Sequence, residues 1–477
     1  MSTEDAEQLA LDGLAPRKRR KRAPAVKTPA AEHPIAQVVL DIQAIHLGQT
    51  FDYYVEEKYS EAAQPGVMVR VRFGGQRVNG IIWKRTDTSE TPESSLRFIE
   101  RVVIDRVLVS ESMRNDATLI ADAFGGTRAN ILRLAVPPRV ARVEQEQRIG
   151  NRTGIEKNGR IESLAKIERE SYEQLQRQYG NIDLLRTALE GQRFQAFVLD
   201  PLPGSHHWRQ CVAWMVAAAL LQGKPAVLVL PTMREIEDMA ETLQSIGLRC
   251  FAPTQSSNGA YGGDFAILNA QMAPAERYRA YLAISGGQVR CVIGTRAAMY
   301  APVDGNALFL ILDDVCYQDA DGMMPYANAR GVLRLRAKAH NGVFVAMANA
   351  RSVQSQWETD AAHVGATQVS GFSTPIHAFP AVTKEASPWI RWLNRDELAR
   401  LADSTIGARV PHTAVRVLSK ALESGPVLLS IPQDGIGEAL SCAKCHRQAR
   451  CSYCTGPLER LRDGSVRCRW CGVATVQ

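Results

Sequence analysis

Six of the ten cysteines fall in one stretch near the C-terminal end, as three pairs with two residues between their members: Cys442 and Cys445, Cys451 and Cys454, Cys468 and Cys471. A Cys-x-x-Cys turn aims two thiolates at one point, and two such turns supply the four soft ligands of a tetrahedral zinc ion. The nearest complete set is Cys451, Cys454, Cys468 and Cys471, with 13 residues between the inner cysteines. Cys442 and Cys445 are then a pair without a matching turn. Disulfides are the competing reading of the same thiols; the even spacing and the lack of an apolar secretion signal favour metal. Lys444, Arg447, Arg450, Arg460, Arg462, Arg467 and Arg469 are set against only Glu459 and Asp463, so this knob carries a net +5 and suits a polyanion.

The rest of the chain must position that knob. Its 477 residues are enough for about three domains. With 45% apolar and 22% charged residues the composition is that of an ordinary soluble protein. No run approaches the ~18 apolar residues of a membrane span, which makes the cytoplasm the expected location. The net charge of +7 is carried by the ends: +2 over residues 1–33 and +5 from Cys442 onward, leaving the middle near neutral.

Residues 1–34 read as a disordered basic arm, because the six consecutive charges Arg17–Arg22 repel one another and resist packing. From Ile35 short alternating segments predict strands over Val38–Ile42, Phe51–Val55, Val67–Phe73, Gly80–Lys84 and Arg101–Val109. In Val67–Phe73 the valines and Phe73 share one face while Arg70 and Arg72 point the other way. Helices are predicted over Met113–Phe124 and Arg128–Leu134, stopping at Pro137-Pro138, so a small β-rich domain is placed at 35–142. The polar segment 143–194 reads as a helical linker. From Gln195 strands at Ala196–Leu199, Ala226–Leu230, Arg249–Phe251, Val289–Ile293, Leu308–Leu312 and Val343–Ala346 alternate with helices such as Trp208–Leu221 and Arg234–Ser245, the pattern of a parallel α/β sheet over 195–375. A linker follows at 376–441, with a strand over Gly425–Ile431, and then the cysteine module at 442–477.

Two sets of residues carry a family resemblance. Val38–Asp41, Phe51-Asp52-Tyr53-Tyr54-Val55 and Pro65–Gly74 resemble the N-terminal DNA-binding domain of the PriA family of bacterial replication-restart proteins. That resemblance implies a pocket for the free 3′ end of a nascent strand, carried here by Phe51, Asp52, Gly74 and Arg97. The chemistry is self-consistent, since a carboxylate accepts from a terminal hydroxyl and an aromatic ring stacks on a base. Cys291-Val292-Ile293-Gly294-Thr295-Arg296-Ala297-Ala298-Met299-Tyr300-Ala301-Pro302 is similar to the Gly-Thr-Arg motif of superfamily 2 helicases in its PriA form, and Asp313-Asp314 follows where those enzymes hold magnesium. The resemblance implies a RecA-like first motor lobe and an abbreviated second lobe bearing the zinc module. Pairing the turns as in that family places Cys451, Cys454, Cys468 and Cys471 on one zinc and leaves Cys442 and Cys445 with an incomplete second site.

The fuel site departs from the family. A phosphate loop needs successive amide donors, a lysine and a hydroxyl, but the chain has Asp200-Pro201-Leu202-Pro203-Gly204-Ser205-His206-His207-Trp208 there, with one glycine and no lysine. The family's Asp-Glu-x-His becomes Asp313-Asp314-Val315-Cys316, one methylene short at the residue that positions the attacking water. Gly204, Asp313 and Asp314 are therefore remnants of a nucleotide site, similar to the actinobacterial branch of the family, which the resemblance implies lacks helicase activity. His206 and His207 read as residues of a helix start, not metal ligands. The expected function is replication restart: recognition of forked DNA at its 3′ end and assembly of primosome proteins that reload the replicative helicase, with single-stranded DNA-binding protein among the candidate partners. Residual ATP-dependent 3′→5′ unwinding and a zinc ribbon that binds nucleic acid without fork preference are the alternatives.

Overall fold

The computed structural model describes residues 27–42, 44–104, 106–150, 158–254, 261–269, 271–317, 324–360, 371–405, 410–430, 440–441, 444, 449–454, 456–461 and 463–475. Most of the basic arm and both Cys442 and Cys445 lie outside the described residues. The chain divides into two units, the first taking in residues up to Leu40 and Thr50–Val107, the second Asp41–Gln49 and everything from Leu108.

In the first unit β1 (Ile35–Leu40), β2 (Phe51–Tyr54), β3 (Met68–Phe73), β4 (Gln76–Thr86), β5 (Arg97–Phe98) and β6 (Arg101–Val102) form one sheet in the order β5-β2-β1-β4-β3-β6. All its pairs are antiparallel except β2 with β5. The period-two reading of β3 holds: Val69 and Val71 are fully buried while Arg72 is exposed. The β3–β4 hairpin turns on Gly74 and Gly75, with φ of 55° and 82°. Two successive positive φ values match the right-handed twist of the flanking strands, and glycine meets them without a Cβ clash.

The second unit begins with α1 (Glu111–Phe124), α2 (Arg128–Ala135), α3 (Ala141–Gly150), α4 (Asn158–Gln178) and α5 (Ile182–Glu190). Ser110 caps α1 by accepting from the Met113 amide, and Thr127 and Asn130 form a reciprocal capping box on α2. By its contacts α1 groups with the α/β unit and not with the β-rich one, because buried Asp116 is held by Arg336 at 2.8 Å. Among the described residues of 143–194, α4 and α5 pack against the α/β sheet. Trp214 donates to Glu168 of α4 at 3.0 Å, and Leu185 and Leu189 of α5 enter the core.

The core of the unit is a seven-stranded, wholly parallel sheet. Its strands are β7 (Gln195–Asp200), β8 (Ala226–Val229), β11 (Phe265–Leu268), β12 (Cys291–Gly294), β13 (Leu308–Leu312), β14 (Val343–Met347) and β15 (Thr374–His377) in the order β11-β12-β8-β13-β14-β7-β15. The helices α6 (Ser205–Leu221), α7 (Met233–Ser245), α8 (Pro274–Ser285), α9 (Ala329–Ala339) and α10 (Val353–Glu358) follow strands of this sheet. Where a strand was expected at Arg249–Phe251, only Cys250 bridges to Phe265, and the short pair β9 (Ala252–Pro253) and β10 (Tyr261–Gly262) forms beside it. Beyond β15 come the helices Pro380–Ala386, Arg395–Arg400 and His412–Ser424. The strand expected from Gly425 is not formed over its described residues 425–430, where Leu428 is 92% exposed; an apolar run becomes a strand only with a neighbour to pair with. The cysteine region ends in a small antiparallel sheet of β16 (Leu458–Arg460), β17 (Val466–Cys468) and β18 (Ala474–Thr475). Among the described residues no helix is long and apolar enough to cross a membrane.

Candidate nucleic-acid and metal sites

Strand β2 places the first candidate group. Phe51 packs edge-on against Phe73 with ring centroids 4.7 Å apart, and Tyr53 donates to the Arg72 carbonyl at 3.1 Å. Since β1 and β4 lie between β2 and β3 in the sheet order, these contacts require the sheet to curl. Burial first raises the Tyr53 phenol to about 12, against a smaller lowering by Arg97. Arg97 stands opposite Tyr53 in the β2–β5 register. Asp52 alternates to the other side of the strand, where the Ser89 hydroxyl donates to its Oδ2 at 2.5 Å. The structure thus joins Phe51 to Phe73, which leads into Gly74, and joins Asp52 to Ser89. A Cβ added at Gly74 would meet nothing within 4 Å, so the turn conformation accounts for this glycine. Sequence reasoning missed Ser89; its only signal was a Ser in a polar loop.

The place of a phosphate loop, between β7 and α6, is occupied by the chain's own contacts. The Leu202 amide donates to the Tyr179 hydroxyl at 2.8 Å, and His207 Nδ1 lies 2.7 Å from the Pro203 carbonyl oxygen. Asp200 is clamped by Arg351 through two bonds of 2.9 and 2.7 Å. Gly204 sits at φ 111°, before the first turn of α6. At the end of β13, Asp313 takes φ 52°, and its carboxyl is raised by burial first and then by Glu235 and Asp314. Asp314 is 1% exposed, and its Oδ2 accepts from Arg330 Nε at 2.8 Å, Ser352 at 2.6 Å and Ser355 at 2.5 Å. Arg330 in turn holds Glu358 through bonds of 2.9 and 2.8 Å. A carboxylate oxygen with three donors already on it is a structural anchor and a poor orienter of water.

The third group is the cysteine cluster. The sulfurs of Cys451, Cys454, Cys468 and Cys471 all lie within 4.8 Å of one another, and all four residues are buried. Cys451 and Cys471 are 3.7 Å apart, Cys454 and Cys468 3.3 Å. A tetrahedron with metal–sulfur bonds of about 2.3 Å has edges of roughly 3.8 Å, so the four thiols fit a metal ion. Hydrogen bonds from Cys454, Cys468 and Cys471 hold the Cys451 thiol well below its usual value. The Tyr453 and Trp470 amides point at the sulfurs two residues earlier, each at 3.4 Å. A Cβ on Gly456 would come within 2.8 Å of the Cys468 sulfur and of the Trp470 ring, which explains the glycine. Leu458, Trp470 and Val473 pack around the cluster, and Trp470 lies 6.1 Å from the ring of Tyr317, in the short helix that follows Asp313.

Residues 37–137 match the family model described as the 3′ DNA-binding domain of PriA. The chain is 31% identical over 437 residues to a probable replication restart protein PriA of Mycobacterium leprae, covering 90% of this chain and 62% of that one. A probable PriA of Mycobacterium tuberculosis is likewise 31% identical over 90% of this chain and 60% of its own. PriA of Bacillus subtilis is 19% identical over 60% of this chain and 33% of its own. The chain therefore spans about three-fifths of the length of the mycobacterial relatives, and the resemblance read from its motifs holds along most of its own length.

Proposed function

We propose that this chain, similar to PriA over nine-tenths of its length, acts in replication restart as a fork-recognising scaffold and not as a motor. It binds branched DNA at a nascent 3′ end through its β-rich unit and promotes assembly of primosome proteins that reload the replicative helicase. Phe51, which opens β2, offers a ring to the terminal base, the Asp52 carboxylate accepts from the terminal hydroxyl, the Gly74 turn leaves room for close approach, and Arg97 supplies charge for the backbone phosphate. The parallel sheet is read as a RecA-like lobe whose nucleotide chemistry has lapsed. The observation that carries this reading is the burial of Asp314 under Arg330, Ser352 and Ser355. An acid so engaged is unfit to position water, and the missing loop lysine removes the charge that neutralises a transferring phosphoryl group. Cys451, Cys454, Cys468 and Cys471 hold Zn²⁺ in a small ribbon, where the ion supplies cross-linking and no chemistry on substrate.

The test is ATP turnover by the purified chain with and without forked DNA, beside binding of the same DNA. Tight fork binding with no turnover supports the scaffold. Turnover that Asp313→Ala abolishes would put residual ATP-dependent unwinding first. Equal affinity for forked and linear DNA would favour a ribbon protein without fork preference.

A further inference from the structure

The hydrogen bond between Ser89 and Asp52 has no part in either strand ladder. β4 and β5 run in the same direction on opposite sides of the β1–β2 pair, so the connection over residues 87–96 must pass across that pair. It brings Ser89, 37 residues away in sequence, onto Asp52 at 2.5 Å. The same hydroxyl oxygen accepts from the Thr91 amide at 3.0 Å. Its proton is therefore committed to Asp52 and one lone pair to the loop, which fixes the direction of the hydroxyl. Of the two Asp52 oxygens Oδ2 is filled, and among the described residues Oδ1 carries no hydrogen bond. Asp52 is half-buried, open enough to meet a ligand and enclosed enough to be held.

We infer that Ser89 is a positioning residue for 3′-end recognition: by occupying Oδ2 it locks the Asp52 carboxylate so that Oδ1 accepts one hydrogen bond from a terminal 3′-hydroxyl. This rests on the reading of Asp52 as the hydroxyl acceptor. An ionised carboxylate is acceptor-only and negative. It welcomes a hydroxyl donor, gains nothing from a 3′-deoxy end and repels a 3′-phosphate. Holding the carboxylate in place removes the rotamer entropy that each binding event would otherwise cost. The serine is thereby a determinant of selectivity and contributes little to general DNA affinity.

The experiment measures affinities of the full chain for labelled forks whose nascent strand ends in 3′-hydroxyl, 3′-deoxy or 3′-phosphate. The proteins compared are the wild type, Asp52→Asn, Ser89→Ala and Ser89→Thr, each confirmed folded by thermal melting. The expected result is that Ser89→Ala loses severalfold, up to roughly tenfold, of the preference for the 3′-hydroxyl, the size of the ordering cost of one side chain, with affinity for the blocked forks unchanged. Ser89→Thr, which keeps the hydroxyl, restores the preference. If the wild type discriminates, Asp52→Asn does not, and Ser89→Ala discriminates as well as or better than the wild type, the inference is wrong while the Asp52 reading stands. If the wild type binds all three ends alike, or Asp52→Asn keeps the full preference, the Asp52 reading falls and takes the inference with it.

Discussion

The guanidinium of Arg330 and the carboxylate of Asp314 meet at 2.8 Å, with the two side chains 3% and 1% exposed. Arg330 also reaches Glu358 from the same guanidinium, so one cation bridges two buried anions, with Arg334 3.5 Å from Glu358.

Removing that cation leaves Asp314 without charge compensation in the interior and Glu358 with Arg334 alone, 3.5 Å away. Arg330→Ala is expected to destabilise the chain by about 3–5 kcal/mol, read as a lowered denaturant midpoint. Arg330→Lys keeps the charge but loses the fork geometry and should recover only part of the loss. An unchanged midpoint in the alanine variant would mean that the network does not hold the α/β unit together.

A second buried group sets an acid limit. Burial raises the Asp116 carboxyl, but Arg336 and His340 outweigh it and leave the net value below that of a free aspartate. A depressed value in the folded state means that the stabilisation is complete above the unfolded value of about 3.9 and is lost as pH falls through the folded one. Wild-type stability should therefore drop as pH is lowered past about 4. Asp116→Asn should be less stable at neutral pH by about 2–4 kcal/mol yet flatter below pH ~4. Parallel pH curves for the two proteins would remove Asp116 from the acid transition.

The cysteine cluster should hold one zinc per chain, measured by elemental analysis against protein concentration. Cys451→Ser should release that zinc and loosen β16–β18, seen as faster amide exchange over residues 456–475. A metal content unaltered by the substitution would mean that these four thiols are not the ligands.

The β3–β4 turn yields a milder effect. Nothing crowds Gly74, so Gly74→Ala should cost only the left-handed backbone penalty of about 1–2 kcal/mol. Gly75→Asn should be nearly neutral, since asparagine tolerates positive φ. A larger loss of stability at Gly74 would point to a constraint beyond the turn.

Much of this architecture is written locally. The alternation of Val67–Phe73 gives β3, and the apolar runs at Leu308–Leu312 and Val343–Ala346 give adjacent central strands, because each pattern directly encodes which face is buried. The spacing of Cys451, Cys454, Cys468 and Cys471 predicts the cluster for the same reason, two ligands being fixed by each tight turn. What escaped was decided at long range. The membership of α1 follows from an Asp116–Arg336 pair 220 residues apart, and the docking of α4 from Glu168 meeting Trp214. β11 is only four apolar residues, too short for its period to separate strand from helix, and it becomes a strand because β12 lies beside it. The run from Gly425 reads equally well as a strand and finds no such neighbour in residues 425–430. Ser89 was illegible because its role depends on where a loop crosses, and no local pattern records that.

The position of Trp470 has an optical consequence. It lies in the turn between Cys468 and Cys471 and packs against the cluster, with the Tyr317 ring 6.1 Å away, within easy range for a tyrosine to hand excitation energy to an indole. Thiolate sulfur quenches indole emission, and metal coordination changes how much of it is available to do so. The module thus carries its own fluorophore beside a donor from the α/β unit, so the gain or loss of its ion is readable as a change in light, without a label.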